Sequence, residues 1–319
     1  MKEKYIVDIK TNDDFTDYYM VKEAALKIGT NKKQYLDLLL ADMTGEIRAK
    51  KWDVDDEEAE GLKRINEGSI IKVKATVTEW NGTKQLRVQK IRLTGAEDQL
   101  VNSDFFKSAP EESESMFKYI EDRAKEISDK HFSSIVLKVL NDNKEKFMYY
   151  PAASKNHHAE YGGLLYHMKR MLVNAISICE VYPILNKDLL ATGVILHDME
   201  KLNEMDSDTN GVVSGYTFEG MMLGHLVQGA IAVDRLSRDL DIPYEKKIML
   251  EHMLISHHYE PDWGSPKMPL FPEAEILHYL DMIDAKMYDF EEALNGVEPG
   301  DFSDKSWTLD RRRIYKREW

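Results

Sequence analysis

Apolar and polar residues alternate with a period of two over much of the first part of the chain, which predicts strands between residues 18 and 93. Tyr35–Ala41 is an apolar run of strand type, and Met43-Thr44-Gly45 interrupts it as a turn. Glu46–Trp52 then sets Ile47 and Ala49 against Arg48 and Lys50. Asp55–Ile65 changes to an acidic, helical pattern. After Gly68 the alternation returns at its clearest, with Val73, Ala75 and Val77 on one face and Lys72, Lys74 and Thr76 on the other. Asn81-Gly82 predicts a two-residue hairpin turn, because both residues tolerate positive φ. The returning strand carries Leu86 and Val88, then Ile91 and Leu93; the slip of one residue between these pairs predicts a bulge at Gln89-Lys90. Beyond it the period changes. Leu100–Ser115 reads as a polar connection, and from about Glu111 onward the spacing is helical. Met116–Ile127 and Phe132–Phe147 repeat apolar residues every three or four positions, with Pro151 closing the second.

Three strands, a helix and a two-strand hairpin is the element order of an OB-fold, the small Greek-key barrel that often holds single-stranded nucleic acid. The expected fold class is therefore multidomain α and β. Residues 1–96 form an OB-fold nucleic-acid-binding domain, 97–115 a linker, and 116–319 an all-α bundle with a basic tail. Lys72 and Lys74 on a barrel strand, with Tyr35, Trp52 and Trp80 nearby, offer attraction for phosphates and surfaces for base stacking. The same aromatics could instead fill the barrel.

Charge sharpens this division. The chain carries a net −14, which argues against a protein that coats duplex DNA non-specifically. Residues 1–95 hold 18 basic against 17 acidic side chains, and the remainder 25 against 40. The first part is thus the better partner for a polyanion, and the second suits hard cations. Within that acidic second part, Lys305–Trp319 is a basic island around Arg311, Arg312 and Arg313, a second candidate contact for nucleic acid. The single cysteine, Cys179, excludes a disulfide framework or a thiolate zinc site within one chain. No signal-type core follows Met1, and nowhere do about 18 apolar residues run together. Cytoplasmic residence without membrane contact is expected, and assembly as a homo-oligomer stays open.

Chemistry concentrates in a series of histidines on helical, apolar runs. His167 follows Gly162-Gly163; His197-Asp198 ends the run Val194-Ile-Leu; His225 follows Leu223-Gly224; His257-His258 follows Ile255-Ser256; and Asp281 and Asp284 follow His278. Neighbouring helical residues point about 100° apart, so His197 and Asp198 converge only on something lying over the helix surface, such as a metal ion. Five successive helices each turning a His or Asp inward would be costly for a core without a cation to collect them. A metal cluster is the expectation.

Here the sequence resembles the HD-domain metal-dependent phosphohydrolases, whose pattern of His, His-Asp and a late Asp is matched by His167, His197, Asp198 and Asp281. His225 and His257 are similar to the further ligands of the binuclear members. After His257-His258 the chain reads Tyr-Glu-Pro-Asp-Trp-Gly-Ser, which departs from the HD-GYP pattern and turns the expectation away from cyclic dinucleotides. With a barrel in front, Leu223-Gly224-His225, and the tail Trp307-Thr-Leu-Asp-Arg-Arg-Arg313-Ile-Tyr-Lys, the chain from Tyr18 to Lys316 resembles the YhaM family of bacterial 3′→5′ exoribonucleases.

That resemblance implies two divalent ions per chain, usually manganese, with iron, cobalt or zinc as other occupants of a mixed imidazole and carboxylate site. Asp198 would bridge the ions, one also held by His167, His197 and Asp281, the other by His225 and His257. Lys201 would neutralise phosphate in the transition state. His258 and Asp284 would stand behind the ligands and orient them. His131, His252 and His278 fall outside the pattern, and His157 and His158 are candidates for touching substrate. The implied activity is 3′→5′ hydrolysis of single-stranded RNA, with single-stranded DNA as a second substrate, to nucleoside 5′-monophosphates. The alternatives are an HD hydrolase of small nucleotides and a nucleic-acid-binding protein whose metal site is structural.

Overall fold

The computed structural model describes residues 2–29, 33–80, 82–98, 100, 104–154 and 158–319. They divide into two compact units, Met1–Ser108 and Ala109–Trp319. In the first, β1 (Asp14–Ile28), β2 (Gln34–Asp42) and β3 (Gly45–Val54) precede α1 (Asp56–Leu62), and β4 (Ile70–Trp80) and β5 (Thr83–Leu93) follow it. The strands close into a barrel in the order β1-β2-β3-β5-β4. A short parallel seam makes the closure, pairing Arg48 with Gln85 and Lys50 with Arg87. Because the side-chain period of a strand is two, every second residue enters the barrel: Leu38, Leu40, Ile47, Ala49, Val73, Ala75, Val77, Leu86 and Val88 are all buried. The pairing of β4 with β5 slips between Lys74 and Ala75, so that Gln89 is the extra residue on β5. Asp55 caps α1 by accepting from Glu58 N at 2.8 Å. The Asn81 half of the expected hairpin turn and the Trp80 side chain lie outside the described residues, while Gly82 takes the positive φ of 77° that the turn requires.

Tyr35 and Trp52 do not fill the barrel. They stack on its outside with ring centroids 4.7 Å apart, and Lys50 Nζ lies over both rings. Lys74 is exposed on β4, and Lys72 is half-buried with its Nζ 4.7 Å from the Tyr18 ring centroid. The stretch read as linker belongs in part to the barrel: Phe105 and Phe106 are buried against Tyr18, Met20 and Ala41. Their two adjacent aromatic rings have no periodicity to betray that they pack.

The second unit contains α2 (Ser113–Lys125), α3 (Lys130–Asp142), α4 (Lys144–Phe147), α5 (Gly163–Val181), α6 (Lys187–Leu196) and α7 (Lys201–Glu204). These are followed by a two-stranded ribbon, β6 (Met205–Ser207) and β7 (Val213–Tyr216), and then α8 (Phe218–Asp239), α9 (Tyr244–Ser256) and α10 (Pro272–Leu294). Its core is one continuous cluster of residues such as Ile120, Ile135, Met168, Leu172, Val194, Leu254 and Leu277. Two departures from the sequence pattern matter. The run expected as one helix over Phe132–Phe147 breaks at Asn143, whose amide donates to Val139 O at 3.0 Å and ends α3. α8 is kinked at Gly224 (φ 68°, ψ 161°), a backbone state open essentially to glycine alone.

Candidate metal centre

Each histidine of the series stands where an element ends, bends or meets a close neighbour. His197 is the C-cap of α6 and His257 the C-cap of α9. The last carbonyls of a helix lack intrahelical partners, and both rings use them. His197 Nδ1 donates to Val194 O at 2.8 Å and His257 Nδ1 to Leu254 O at 2.7 Å. A carbonyl can only accept, so the proton sits on Nδ1 and the lone pair on Nε2. His258 follows the same rule through Trp263 O at 2.7 Å, and His225 through the Glu204 carboxylate at 3.0 Å. His167 Nδ1 donates to Asp284 Oδ2 at 2.7 Å. Five rings therefore turn Nε2 lone pairs into the bundle.

Glycine makes two of these placements possible. A Cβ on Gly163, at the start of α5, would lie 2.1 Å from His158 O, so the approach of this segment to the helix carrying His167 requires glycine. The kink at Gly224 restarts α8 at His225, whose freed backbone N–H donates to Glu204 Oε1 at 3.0 Å. Glu204 thus holds both the backbone and the ring of one residue.

The rings meet around Asp198, which is almost fully buried. Its two oxygens face different partners. Oδ2 lies 3.3 Å from His197 Nε2 and 3.8 Å from His167 Nε2, and the latter is 3.4 Å from Asp281 Oδ1. Oδ1 lies 3.4 Å from His225 Nε2 and 3.9 Å from His257 Nε2. These separations are long for hydrogen bonds but normal for two ligands that each stand about 2.1 Å from a shared ion. His197 Nε2, His225 Nε2, His257 Nε2 and Asp198 Oδ1 are buried without a hydrogen-bond partner. Each such orphan costs about 1–3 kcal/mol, a penalty that a cation removes. The donor set fits a divalent transition ion on each side of Asp198, and imidazole nitrogens favour manganese, iron, cobalt or zinc over magnesium.

The charged groups of the centre lean on one another: burial opposes protonation of His197, and Asp198 overcomes that and raises it. Burial opposes ionisation of Asp198, but His197 and Lys201 outweigh it and hold the carboxyl well below its usual range. Burial also opposes the charge on Lys201, and Asp198, at 2.7 Å, overcomes that and raises it. Burial depresses His257 and His258, which keeps both rings neutral and able to ligate.

His258 was expected behind the ligands. The structure instead groups it with His225 and His257 as a third nitrogen of the second set, because its Nδ1 is engaged by the Trp263 carbonyl. Asp284 accepts from His167 of the first set, and it has partners that the sequence did not suggest. His158 Nε2 donates to its Oδ2 at 2.7 Å, and Arg170 Nε pairs with Oδ1 at 2.6 Å. Burial would raise the Asp284 carboxyl, but His158 and His167 outweigh it and hold it well below the usual range. His158 is buried and supports Asp284 rather than facing substrate; His157 lies outside the described residues. Glu204, Arg170 and His158 carry no spacing signal, since each acts on a partner from another element. His278 donates to His257 O, His252 accepts from Leu270 N, and His131 sits beside Lys246.

A cleft of about 790 Å³ opens over this centre, bordered by Lys201, His225, His258 and Asp281. The arginines expected to bind phosphate fold the tail on one side. Arg312 Nε donates to Leu309 O and Arg313 Nε to Ser303 O, while Arg311 lies 4.4 Å over the Trp307 ring. All three remain exposed. Among the described residues, no helix is long and apolar enough to cross a membrane.

Comparison with known proteins agrees with both halves. The model of the OB-fold nucleic acid binding domain matches residues 21–94, and that of the HD domain matches residues 164–286. Among solved structures, the chain is similar to a domain of replication protein A from Methanococcus maripaludis. That match has 27% identity over 28% of this chain and 92% of the other, with a TM-score of 0.24. A solution structure of the second OB-fold domain of replication protein A from the same organism is 24% identical over 32% and 100%, also with a TM-score of 0.24. The 3′-5′ exoribonuclease YhaM of Geobacillus sp. (strain WCH70) is 38% identical over 313 residues, which are 98% of this chain and 95% of that protein. Identity of 38% over a match that spans both the barrel and the helical unit means that the chain belongs to the YhaM family.

Proposed function

We propose that this chain is a metal-dependent 3′→5′ exoribonuclease that removes nucleoside 5′-monophosphates from single-stranded RNA, with single-stranded DNA as a second substrate and the cytoplasm as its place of work. The observation that carries the reading is the division of Asp198. One carboxylate presents one oxygen to His167 and His197 and the other to His225 and His257, the arrangement suited to two adjacent cations. His167, His197 and Asp281 would complete one ion's shell, and His225, His257 and His258 the other's, with manganese the occupant we favour. Such a pair supplies a nucleophilic hydroxide at neutral pH and Lewis-acid stabilisation of a phosphodiester.

The chain's own groups do the rest. Asp284, Glu204 and the carbonyls of Val194, Leu254 and Trp263 hold the Nδ1 protons, fixing each ring's tautomer and aim. Lys201 borders the cleft and would neutralise a non-bridging phosphate oxygen. In the barrel, Lys50, Lys72, Lys74 and the outward-facing Tyr35–Trp52 stack would receive the upstream strand, and the exposed Arg311, Arg312 and Arg313 would meet further phosphates. The Geobacillus relative's activity supports the choice of substrate.

Incubating the protein and Mn²⁺ with 3′-labelled and 5′-labelled single-stranded RNA, beside a panel of free nucleotides, tests this. Expected are 5′-monophosphates shed from the 3′ end and a ladder of shortened 5′-labelled strands. Formation of 3′-monophosphates, cutting of a circular RNA, or hydrolysis of the free nucleotides alone would overturn it.

A further inference from the structure

We propose that the cleft over the metal centre seats the 3′-terminal nucleotide of the strand, with the indoles of Trp263 and Trp307 as base-stacking platforms, so that the C-terminal loop is part of the substrate site. This rests on the exonuclease reading above and adds the chemistry by which the end of the strand is held.

The cleft has a floor that points from the ions toward the tail. Asp281, Ala285 and Asp289 are spaced i, i+4 and i+8 on one face of α10, and all three line it. Eight residues of helix span about 12 Å, room for one nucleotide beyond a phosphate at the ions. Trp263 and Trp307 line the same cleft and are 53% and 74% exposed, large apolar rings left in water where a ligand would cover them.

Both tryptophans sit on backbone that is tied down. The loop carrying Trp307 is closed by bridges between Phe302 and Tyr315 and between Ser306 and Arg312, and Leu309 anchors it, fully buried. Lys286 Nζ donates to Thr308 O at 3.0 Å, tying the loop to α10. The turn at Asp310 and Arg311 takes φ 56° and 58° without a glycine, a strained conformation that the surroundings must maintain. Arg311 covers one side of the Trp307 ring at 4.4 Å. At the other platform, the carbonyl of Trp263 accepts the Nδ1 proton of His258 at 2.7 Å. The residue that offers its ring to a base therefore also aims a ring of the metal centre. Backbone fastened before binding leaves only side-chain torsions to be ordered. Stacking also accepts every base, which suits a site that meets each base of a strand in turn as the 3′ end recedes.

The test uses the full chain with Mn²⁺ and two probes that share a sugar phosphate, adenosine 5′-monophosphate and ribose 5-phosphate, titrated calorimetrically. The base should tighten binding by about tenfold or more in the wild type. Trp307→Ala and Trp263→Ala should each reduce that advantage, their combination should bring it within about twofold, and the phenylalanine variants should keep most of it. Equal binding of the two probes to the wild type, or an undiminished advantage in the correctly folded double alanine variant, would overturn the proposal. If Trp307→Ala disturbs the tail by circular dichroism, Trp263→Ala still decides it, and an undiminished advantage there would overturn the proposal. Binding is read without hydrolysis. A chain that holds adenosine 5′-monophosphate through both indoles yet never shortens RNA refutes the exonuclease reading alone, whereas one that shortens RNA without any contribution from the base refutes this proposal alone.

Discussion

Asp198→Ala removes the one group common to both sets of histidines, so bound manganese, measured by elemental analysis, should fall from about two ions per chain toward none, and RNA hydrolysis should vanish with it. Activity persisting in a metal-free Asp198→Ala preparation would rule out the mechanism. The supports behind the ligands allow a finer division. Glu204 accepts from the His225 ring and backbone, whereas Asp284 accepts from His167. Glu204→Gln should weaken one ion by roughly 10–100-fold and Asp284→Asn the other, by a similar factor. Calorimetric titration should resolve the two sites, and a substitution that weakens both equally would contradict the separate roles of the two Asp198 oxygens.

Among the elements, α8 and α3 each depend on one residue at a break. Gly224→Ala forces a side chain into φ 68°, ψ 161°, and should cost about 1–3 kcal/mol while disturbing the restart of the helix at His225. A variant with unchanged thermal stability and ion affinity would show that the kink is not needed. At the start of α3, Asp129 accepts from His131 N at 3.0 Å and Phe132 N at 3.3 Å, and Lys246 of α9 pairs with it. Burial would raise this carboxyl, but Lys246 and the two backbone donors outweigh it and lower it. A depressed folded value contributes stability above the unfolded pKa of about 3.9 and loses it as pH falls through the folded value. Asp129→Ala should therefore lower stability by about 1–2 kcal/mol at pH 7, and its deficit against the wild type should shrink below about pH 4. Urea unfolding at pH 7 and pH 3 checks the sign, and a deficit that grew in acid would contradict it.

For the whole molecule, the two units have separate cores, so the helical unit should fold and bind its ions without residues 1–108. Loss of the barrel should raise KM for long RNA far more than for a dinucleotide, and should flatten its dependence on salt, because fewer phosphates then release counterions on binding. If KM for both substrates rose in parallel, the barrel would be serving the stability of the centre instead of capture.

What the sequence determined by itself follows from rules that act between near neighbours. Val73, Ala75, Val77, Leu86 and Val88 alternate because a closed barrel has one inside, and the slip before Ile91 shows as a bulge because one extra residue reverses the faces. His167, His197, His225, His257 and Asp281 stood out because buried polar groups on successive apolar helices require a common partner. The sorting of these groups into two sets around Asp198 came from the family resemblance; tertiary structure alone decided which carboxylate oxygen faces which ring, that His258 stands with His225 and His257, and that the tail turns its tryptophan to the cleft. It also supplied the supports. Glu204 reaches across 21 residues to His225, and His158 across 126 to Asp284. The carbonyls of Val194, Leu254 and Trp263 could not be read at all, since every residue has one and only the folded chain selects which will accept a ring proton.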